Sequence, residues 1–171
     1  GALLLPMMAN ALSQGREVAG HRFAASTAYL MLLAAPLVAF GMVLSDPQID
    51  IAVLETARGG LVRAGMGVSE VNVGAVLNVQ SDHLGMKGID TLEQLAEVKR
   101  IVVEVAKDCA VLNADDPNVL KMSGYTDAKM ICYVTLNPSH GLVREHIRAG
   151  GRACALEDGV NGQMITLYDK G

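Results

Sequence analysis

Two stretches of this chain decide its fold: residues 50–60, DIAVLETARGG, and residues 74–85, GAVLNVQSDHLG. Each begins as a short apolar run and ends abruptly in polar residues of the kinds that bind ligands. Apolar runs of this length are typical of strands buried on both faces, as in parallel sheets. In open α/β sheets, ligands bind at the carboxyl ends of the strands. Glu55 after the first run, with Asp82 and His83 after the second, therefore suits a divalent cation and a phosphorylated ligand.

Strands and helices alternate along the chain. The predicted strands are residues 17–20, 50–54, 72–79, 109–113, 129–134, 152–157 and 163–168. The predicted helices are residues 3–13, residues 28–44 with a break near Pro36, a helix capped by the Thr91–Gln94 capping box, a short helix from Asp116-Pro117, and residues 143–149. Residues 59–67 are expected as a loop or a short helix. This alternation predicts a mostly parallel α/β sheet, and the turn residues at 158–162 add a C-terminal antiparallel hairpin.

The composition limits the classes of protein to consider. The chain has 171 residues and 51% hydrophobic residues, which suits one domain with a real core. Only 4% of the residues are aromatic, Trp is absent and the formal charge is −4, so nucleic-acid binding is not expected. The chain starts without Met and starts apolar, and we expect an incomplete domain, a fragment of something longer.

The spacing of the three cysteines and of the three other histidines gives no indication of a further metal site. Cys109, Cys132 and Cys154 form no CxxC pair, and we expect buried, reduced thiols of a cytosolic protein. The three other histidines lack a partner at metal spacing and are expected at the surface or in loops; they are His21, His140 and His146.

One segment approaches the length of a membrane span. No charged residue occurs from Phe23 to Ser45, and residues 28–44 are almost wholly apolar. Pro36 interrupts this run and no basic cluster flanks it strongly. The favoured interpretation is two buried elements without membrane contact, and a membrane tether is a weaker alternative.

Several strings resemble one family in the correct order. They are LETARGG at 54–60, LNV at 77–79, SDHLG at 81–85, IDTLE at 89–93, VK at 98–99, VLNADD at 111–116, HIRAGGR at 146–152 and ITLYD at 165–169. Over roughly residues 43–171 the chain resembles the Mur-ligase-like module of the cyanophycin synthetase family. The resemblance implies a three-layer α/β domain of the Mur-ligase central type, incomplete at both ends.

The same resemblance implies a function. In the family, this module is an ATP- and Mg²⁺-dependent amide ligase, which adds arginine to the aspartate side-chain carboxylates of cyanophycin through an acyl phosphate. The expected partners are ATP, arginine and the poly-aspartate chain. The expected location is the cytoplasm, and the expected assembly is a homo-oligomer. The fragment alone is expected to be inactive.

The resemblance also assigns catalytic and metal-binding residues. Glu55 would hold magnesium beside the ATP phosphates, and His83 would help to hold a second magnesium. Asp82 would orient either the loop that carries His83 or the His83 side chain itself. Lys99 would be carbamylated and would face the metal. The alternatives are a solvated Glu, a structural His and a surface Lys. If the assignment is correct, Glu55 and His83 lie on the same edge of the sheet, within reach of a shared ion.

The cofactor-binding candidates surround these residues. Arg58, Gly59 and Gly60 could cradle an anion, because Gly lets the backbone approach and Arg binds phosphate bidentately, or they could form a simple tight turn. Asn78 either contacts the ligand or caps a strand end. Asn113, Asp115 and Asp116 are expected to shape a loop near the ribose or base, and helix capping explains Asp115 or Asp116 equally well.

The first 42 residues depart from the family. Its P-loop, Gly-Thr-Asn-Gly-Lys-Thr-Thr, would place Lys at Ala2 and Thr at Leu3 and Leu4. The region therefore keeps the element spacing and loses the phosphate-binding chemistry. This departure supports a second hypothesis, a non-catalytic scaffold that has lost nucleotide binding.

Overall fold

The computed structural model describes residues 16–18, 21–26, 41, 43–81, 84–85 and 88–169. The chain divides into two compact units, residues 1–67 and residues 68–171. The predicted helix at 3–13 and most of the predicted helical segment at 28–44 lie outside the described residues. No helix in the described part of the chain is both long and apolar enough to cross a membrane.

The first unit contains a three-stranded sheet in the order β1-β2-β3. Its strands are β1 (Arg16–Val18), β2 (His21–Ser26) and β3 (Ile51–Leu54), followed by helix α1 (Arg58–Ala64). Strand β2 runs parallel to β3 and antiparallel to β1. Strand β3 agrees with the sequence prediction, whereas β2 was not predicted. The segment HRFAAS contains no β-branched residue, so its composition gives little indication of a strand.

The second unit contains a five-stranded sheet in the order β4-β5-β6-β7-β8. The strands are β4 (Val71–Val76), β5 (Ala106–Asn113), β6 (Met130–Thr135), β7 (Arg152–Gly159) and β8 (Gly162–Tyr168). The helices are α2 (Leu92–Glu104), α3 (Pro117–Leu120), a 3-10 helix (Lys121–Tyr125) and α4 (Gly141–Arg148). Strands β4 to β7 are parallel, and β7 and β8 form an antiparallel hairpin. The predicted mostly parallel α/β sheet with a C-terminal hairpin is confirmed.

Local sequence signals placed the starts of α2 and α3 correctly. The Thr91 side chain accepts a hydrogen bond from the Gln94 backbone, and the Gln94 side chain accepts one from the Thr91 backbone, which completes the capping box. Asp116 caps α3, and Pro117 is its first residue. At the end of α4, Gly150 adopts a φ of 84°, a conformation that glycine tolerates and other residues rarely adopt.

Two expectations about the strands were wrong. Strand β4 ends at Val76 rather than at Val79, because the backbone beyond Val76 bonds to side chains instead of to a neighbouring strand. The strands are also not buried on both faces, since Val53 is 57% exposed and Val73 is 56% exposed. In each strand one set of alternate side chains is more exposed than the other, as in a strand with one covered face.

The helices of the second unit cover one face of its sheet. Their buried side chains pack with Leu112, Tyr133 and Ala153 of the sheet in a single core. The fully buried side chains of largest volume are Leu95, Leu112, Met122, Val103, Val119 and Val143. The alternate strand residues point to the opposite face and leave large apolar side chains exposed, among them Val73, Ile165 and Leu167.

The three cysteines lie on that opposite face. All three are free thiols, as expected, but each is only partly buried rather than fully buried. The register pairs Val111 with Cys132 and Val134 with Cys154, which places the cysteines on neighbouring strands. Burial raises the pKa of the Cys109 and Cys132 thiols, and this disfavours the reactive thiolate.

The expectation that His146 is a surface or loop residue was wrong. His146 lies in α4 and is partly buried, with its ring edge-to-face against Tyr133 at a centroid distance of 4.8 Å. Its Nε2 lies 3.1 Å from Ile131 O, within hydrogen-bonding distance. A Cβ on Gly151 would lie 2.3 Å from the same nitrogen, so the ring occupies the space that Gly151 leaves open.

A polar cluster forms around Asp108 at the amino ends of β5 and β6. Its hydrogen bonds allow the direction of the Asp108 pKa shift to be predicted. Asn72 Nδ2 and Lys129 Nζ each donate a 2.7 Å hydrogen bond to the Asp108 carboxylate. The hydrogen bond from Asn72, followed by that from Lys129, lowers the pKa of Asp108.

We expect Asn72→Ala to raise the Asp108 pKa towards its ordinary value, as measured by NMR titration of the carboxyl carbon. The folded-state pKa is depressed, so the associated stability is present above the unfolded pKa and is lost as pH falls through the folded pKa. Lys107→Met is the matched control, because the charge of Lys107 is the weakest contributor to the shift. An unchanged titration in Asn72→Ala would contradict the assigned cause.

Candidate functional site

Polar residues gather at one edge of the second unit, where the parallel strands β4, β5 and β6 end. Asn78 follows β4, Asn113 ends β5 with Asp115 and Asp116 just beyond, and Thr135 ends β6. Lys99 of α2 joins them through its side chain. The structure thus brings together five residues that the sequence analysis selected, all at the carboxyl edge where α/β sheets bind ligands.

The backbone that follows β4 is held by three of these side chains. The bonds are Asn113 Nδ2 to Leu77 O at 2.8 Å, Lys99 Nζ to Asn78 O at 2.9 Å, and the Val79 N–H to Asp116 Oδ2 at 2.6 Å. Lys99 therefore acts here as an ammonium donor. Val79 is buried, so its N–H needs an internal acceptor, which Asp116 provides.

Asp116 performs two tasks with its two oxygens. Oδ1 accepts hydrogen bonds from the backbone of Asn118 and Val119, at 2.9 and 3.2 Å, and caps α3. Oδ2 accepts from the Val79 backbone. The capping interpretation is confirmed for Asp116 but not for Asp115, which has different partners. Through Asp116 the loop after β4 and the loop after β5 become one connected structure.

Asp115 joins the loop after β5 to the end of β6. The Thr135 hydroxyl donates a 2.6 Å hydrogen bond to Asp115 Oδ1, and the Leu136 N–H donates a 2.7 Å bond to Oδ2. Thr135 is one of two buried polar or charged residues found in the described part of the chain. The sequence analysis missed it, although its place as the polar end of the apolar strand β6 was an available signal.

The first unit carries Glu55 and the predicted anion-binding turn at residues 58–60. Glu55 follows β3 directly and is exposed. Arg58, Gly59 and Gly60 form the first turn of α1, with the Gly60 N–H donating to Ala57 O at 2.9 Å. Arg58 is only 9% exposed. A Cβ would meet no atom within 4 Å at either glycine, so packing alone does not require glycine there.

The metal-binding prediction rests partly on residues outside the structural description. Asp82 and His83 lie outside the described residues. The predicted approach of His83 to Glu55 therefore stays a prediction. Within the described ranges, no three His, Cys, Asp or Glu side chains cluster in a way that could hold a metal ion. Mg²⁺ is commonly held by one or two carboxylates together with water and phosphate oxygens. An exposed carboxylate such as Glu55 fits that donor set.

The fold of the second unit agrees with the comparison against known families. Residues 15–165 match the Mur ligase middle domain, and the chain belongs to that family. Among individual proteins, it is 52% identical over 120 residues to cyanophycin synthetase of Trichormus variabilis, and 48% identical over 120 residues to that of Synechocystis. Each of these matches covers 69% of the chain. The family identified from the sequence strings is confirmed.

The matched region is a small part of these relatives. The chain spans 13% of the Trichormus protein and 14% of the Synechocystis protein. A solved UDP-N-acetylmuramoyl-L-alanyl-D-glutamate–2,6-diaminopimelate ligase is 22% identical, with a TM-score of 0.49, and the match covers 71% of this chain and 24% of that one.

Proposed function

We propose that this chain is part of an ATP-dependent amide ligase that adds arginine to the aspartate side-chain carboxylates of cyanophycin. The observation that carries the proposal is the near 50% identity to cyanophycin synthetases over 120 residues. Membership of the Mur ligase middle domain family supports nucleotide use by this part of the enzyme. The proposed partners are ATP, arginine and the poly-aspartate chain, in a cytoplasmic homo-oligomer.

We assign the proposed catalytic and metal-binding roles to three side chains. Bound Mg²⁺·ATP would supply the phosphoryl group that activates the carboxylate as an acyl phosphate, which the arginine amine then attacks. Glu55 would hold magnesium, and its exposure leaves its oxygens available for coordination. His83 would assist at a second magnesium. Lys99 would serve as a carbamate, a modification that would leave a single N–H on Nζ, the atom that donates to Asn78 O in the structure.

The remaining candidates would accommodate the nucleotide. Arg58, Gly59 and Gly60 would provide an anion-binding first turn after β3, beside Glu55 in sequence. Asn78 would contribute at the end of β4. The loop formed by Asn113, Asp115 and Asp116 would shape the edge next to the ribose or base, since these side chains already bond to neighbouring backbone and to Thr135.

A non-catalytic scaffold is the second candidate function. The observation in its favour is Ala2 with Leu3 and Leu4 where the family has Lys and two Thr. A P-loop Lys places a positive charge on the phosphates, and its Ser/Thr hydroxyl binds magnesium. Ala2 and Leu3 provide neither group.

We expect this 171-residue chain to bind Mg²⁺·ATP weakly or not at all in calorimetry. A repaired chain, with Gly-Thr-Asn added before Gly1 and with Ala2→Lys, Leu3→Thr and Leu4→Thr, should bind measurably, and EDTA should abolish its signal. Micromolar binding by the original chain would show that these substitutions do not matter. A folded repaired chain without binding would favour the scaffold.

A further inference from the structure

Thr135 places a buried hydroxyl at the carboxyl end of β6. The residue is 5% exposed, and the five residues that precede it in the strand, MICYV, carry no charge. Valine has the same shape and favours strands equally well. A buried hydroxyl costs free energy unless it is hydrogen-bonded. Thr135 therefore needs polar partners, and the loops that follow β5 and β6 supply them.

The Thr135 hydroxyl joins these two loops. It donates to Asp115 Oδ1 at 2.6 Å and accepts from the Asn137 N–H at 3.0 Å. Asn137 O lies 3.3 Å from the same hydroxyl, but a hydroxyl has one proton, and the shorter contact with a carboxylate takes it. The second oxygen of Asp115 accepts from the Leu136 N–H at 2.7 Å. Two consecutive residues at the end of β6 thus hold both oxygens of Asp115.

The hydrogen bonds continue from Asp115 to the end of β4. The Asp115 N–H donates to Asn113 Oδ1 at 3.0 Å, and Asn113 Nδ2 donates to Leu77 O at 2.8 Å. Thr135 therefore stands at one end of a chain of hydrogen bonds that crosses the carboxyl ends of three neighbouring strands. Asp115 is exposed, so its carboxylate would be solvated without these bonds. Their effect is to fix the loop in one conformation.

We infer that Thr135 is a positioning residue, which acts through Asp115 to hold the loop at 113–116 in the conformation that receives the nucleotide. This inference rests on the proposed function, because that function places the ribose or base beside this loop. Thr135 is itself buried, so it acts through Asp115 rather than by contact with the nucleotide. The hydroxyl thus favours nucleotide binding by removing the freedom of the loop before the ligand arrives.

The chain offers isosteric substitutions that separate this role from general packing. Thr135→Val removes the hydroxyl and keeps the shape of the side chain. Its two former partners, Asp115 and Asn137, are exposed and can bond to water instead, so the fold should persist. Thr135→Ser keeps the hydroxyl and should restore the original behaviour. Thr166→Val is the matched control, because it removes a hydroxyl from β8, outside this network.

The primary test is amide hydrogen exchange by NMR on the folded 171-residue chain. Thr135→Val should speed exchange at the Asp115 and Leu136 amides by about tenfold, although neither N–H bonds to the hydroxyl itself. Core amides such as Leu112 should change little, and Thr135→Ser and Thr166→Val should exchange as the original chain does. Unchanged exchange at both amides in Thr135→Val would overturn the inference. Faster exchange throughout the unit would also overturn it, because the hydroxyl would then contribute general stability.

A second readout connects the loop to the nucleotide. Adenosine, titrated to millimolar concentration, should shift the amide signals of residues 113–116, and Thr135→Val should need several-fold more adenosine for the same shift. Thr135→Ser should need no more than the original chain. An unchanged adenosine dependence in Thr135→Val would overturn the positioning role. If the original chain does not respond to adenosine although Thr135→Val loosens the loop, the proposed placement of the nucleotide fails while the loop-holding role of Thr135 is retained.

Discussion

Arginine incorporation should be lost when Glu55 is replaced by Ala in a full-length enzyme of this family that carries the family's P-loop. In the proposed function, Glu55 holds magnesium against the phosphate that is transferred. Removing one such electrostatic group typically slows catalysis by roughly 10²–10³-fold. The fold should survive, since Glu55 is an exposed residue just after β3 and buries little surface. The measurement is incorporation of labelled arginine into a primer.

Two controls make this result specific. We propose that a separate module of the full-length enzyme adds aspartate, so aspartate incorporation should persist on a primer that already carries arginine. Glu145→Ala removes another exposed carboxylate, which lies in α4 and has no proposed role, and should leave both activities intact. Equal loss of both amino acids in Glu55→Ala, or normal arginine incorporation, would remove Glu55 from the metal site.

The features that the sequence predicted well are those with local causes. The capping box joins residues three positions apart, and a two-residue turn connects the hairpin partners Gly159 and Gly162. Such signals lie entirely within a short window of sequence. The gathering of Asn78, Asn113 and Asp116 at one edge also followed, because parallel strands present their carboxyl ends on the same side.

The features that were missed depend on partners distant in sequence. Residues 77–79 continue the apolar pattern of β4, and nothing in that pattern indicates that the strand stops. The strand ends there because Asn113 and Asp116, 36 and 37 positions away from the groups they contact, take up the backbone hydrogen bonds. The hydrogen bond between Asp115 and Thr135 joins residues 20 positions apart, so the local sequence pattern could not predict it either. Candidate residues were thus identifiable, but their partners were not.

Gly74→Ala should destabilise the second unit by about 3 kcal/mol, near the upper end of the usual cost of overpacking. Gly74 is buried in β4, where α2 lies directly against the strand. A Cβ there would lie 2.2 Å from Val102 O and 3.2 Å from the Ala106 Cβ. The first obstacle is backbone of α2, which cannot rotate away as a side chain could. A glycine within a strand often marks such a close approach.

The free energy of unfolding, measured by urea denaturation of the 171-residue chain, tests this prediction. Gly141→Ala is the matched control, because Gly141 begins α4 and a Cβ there meets no atom within 4 Å. Alanine is the better helix former, so this control should be neutral or slightly stabilising. If Gly74→Ala were as stable as Gly141→Ala, α2 could not lie against β4 as closely as the structure places it. The packing that brings Lys99 to the end of β4 would then need revision, since Lys99 and Val102 belong to the same helix.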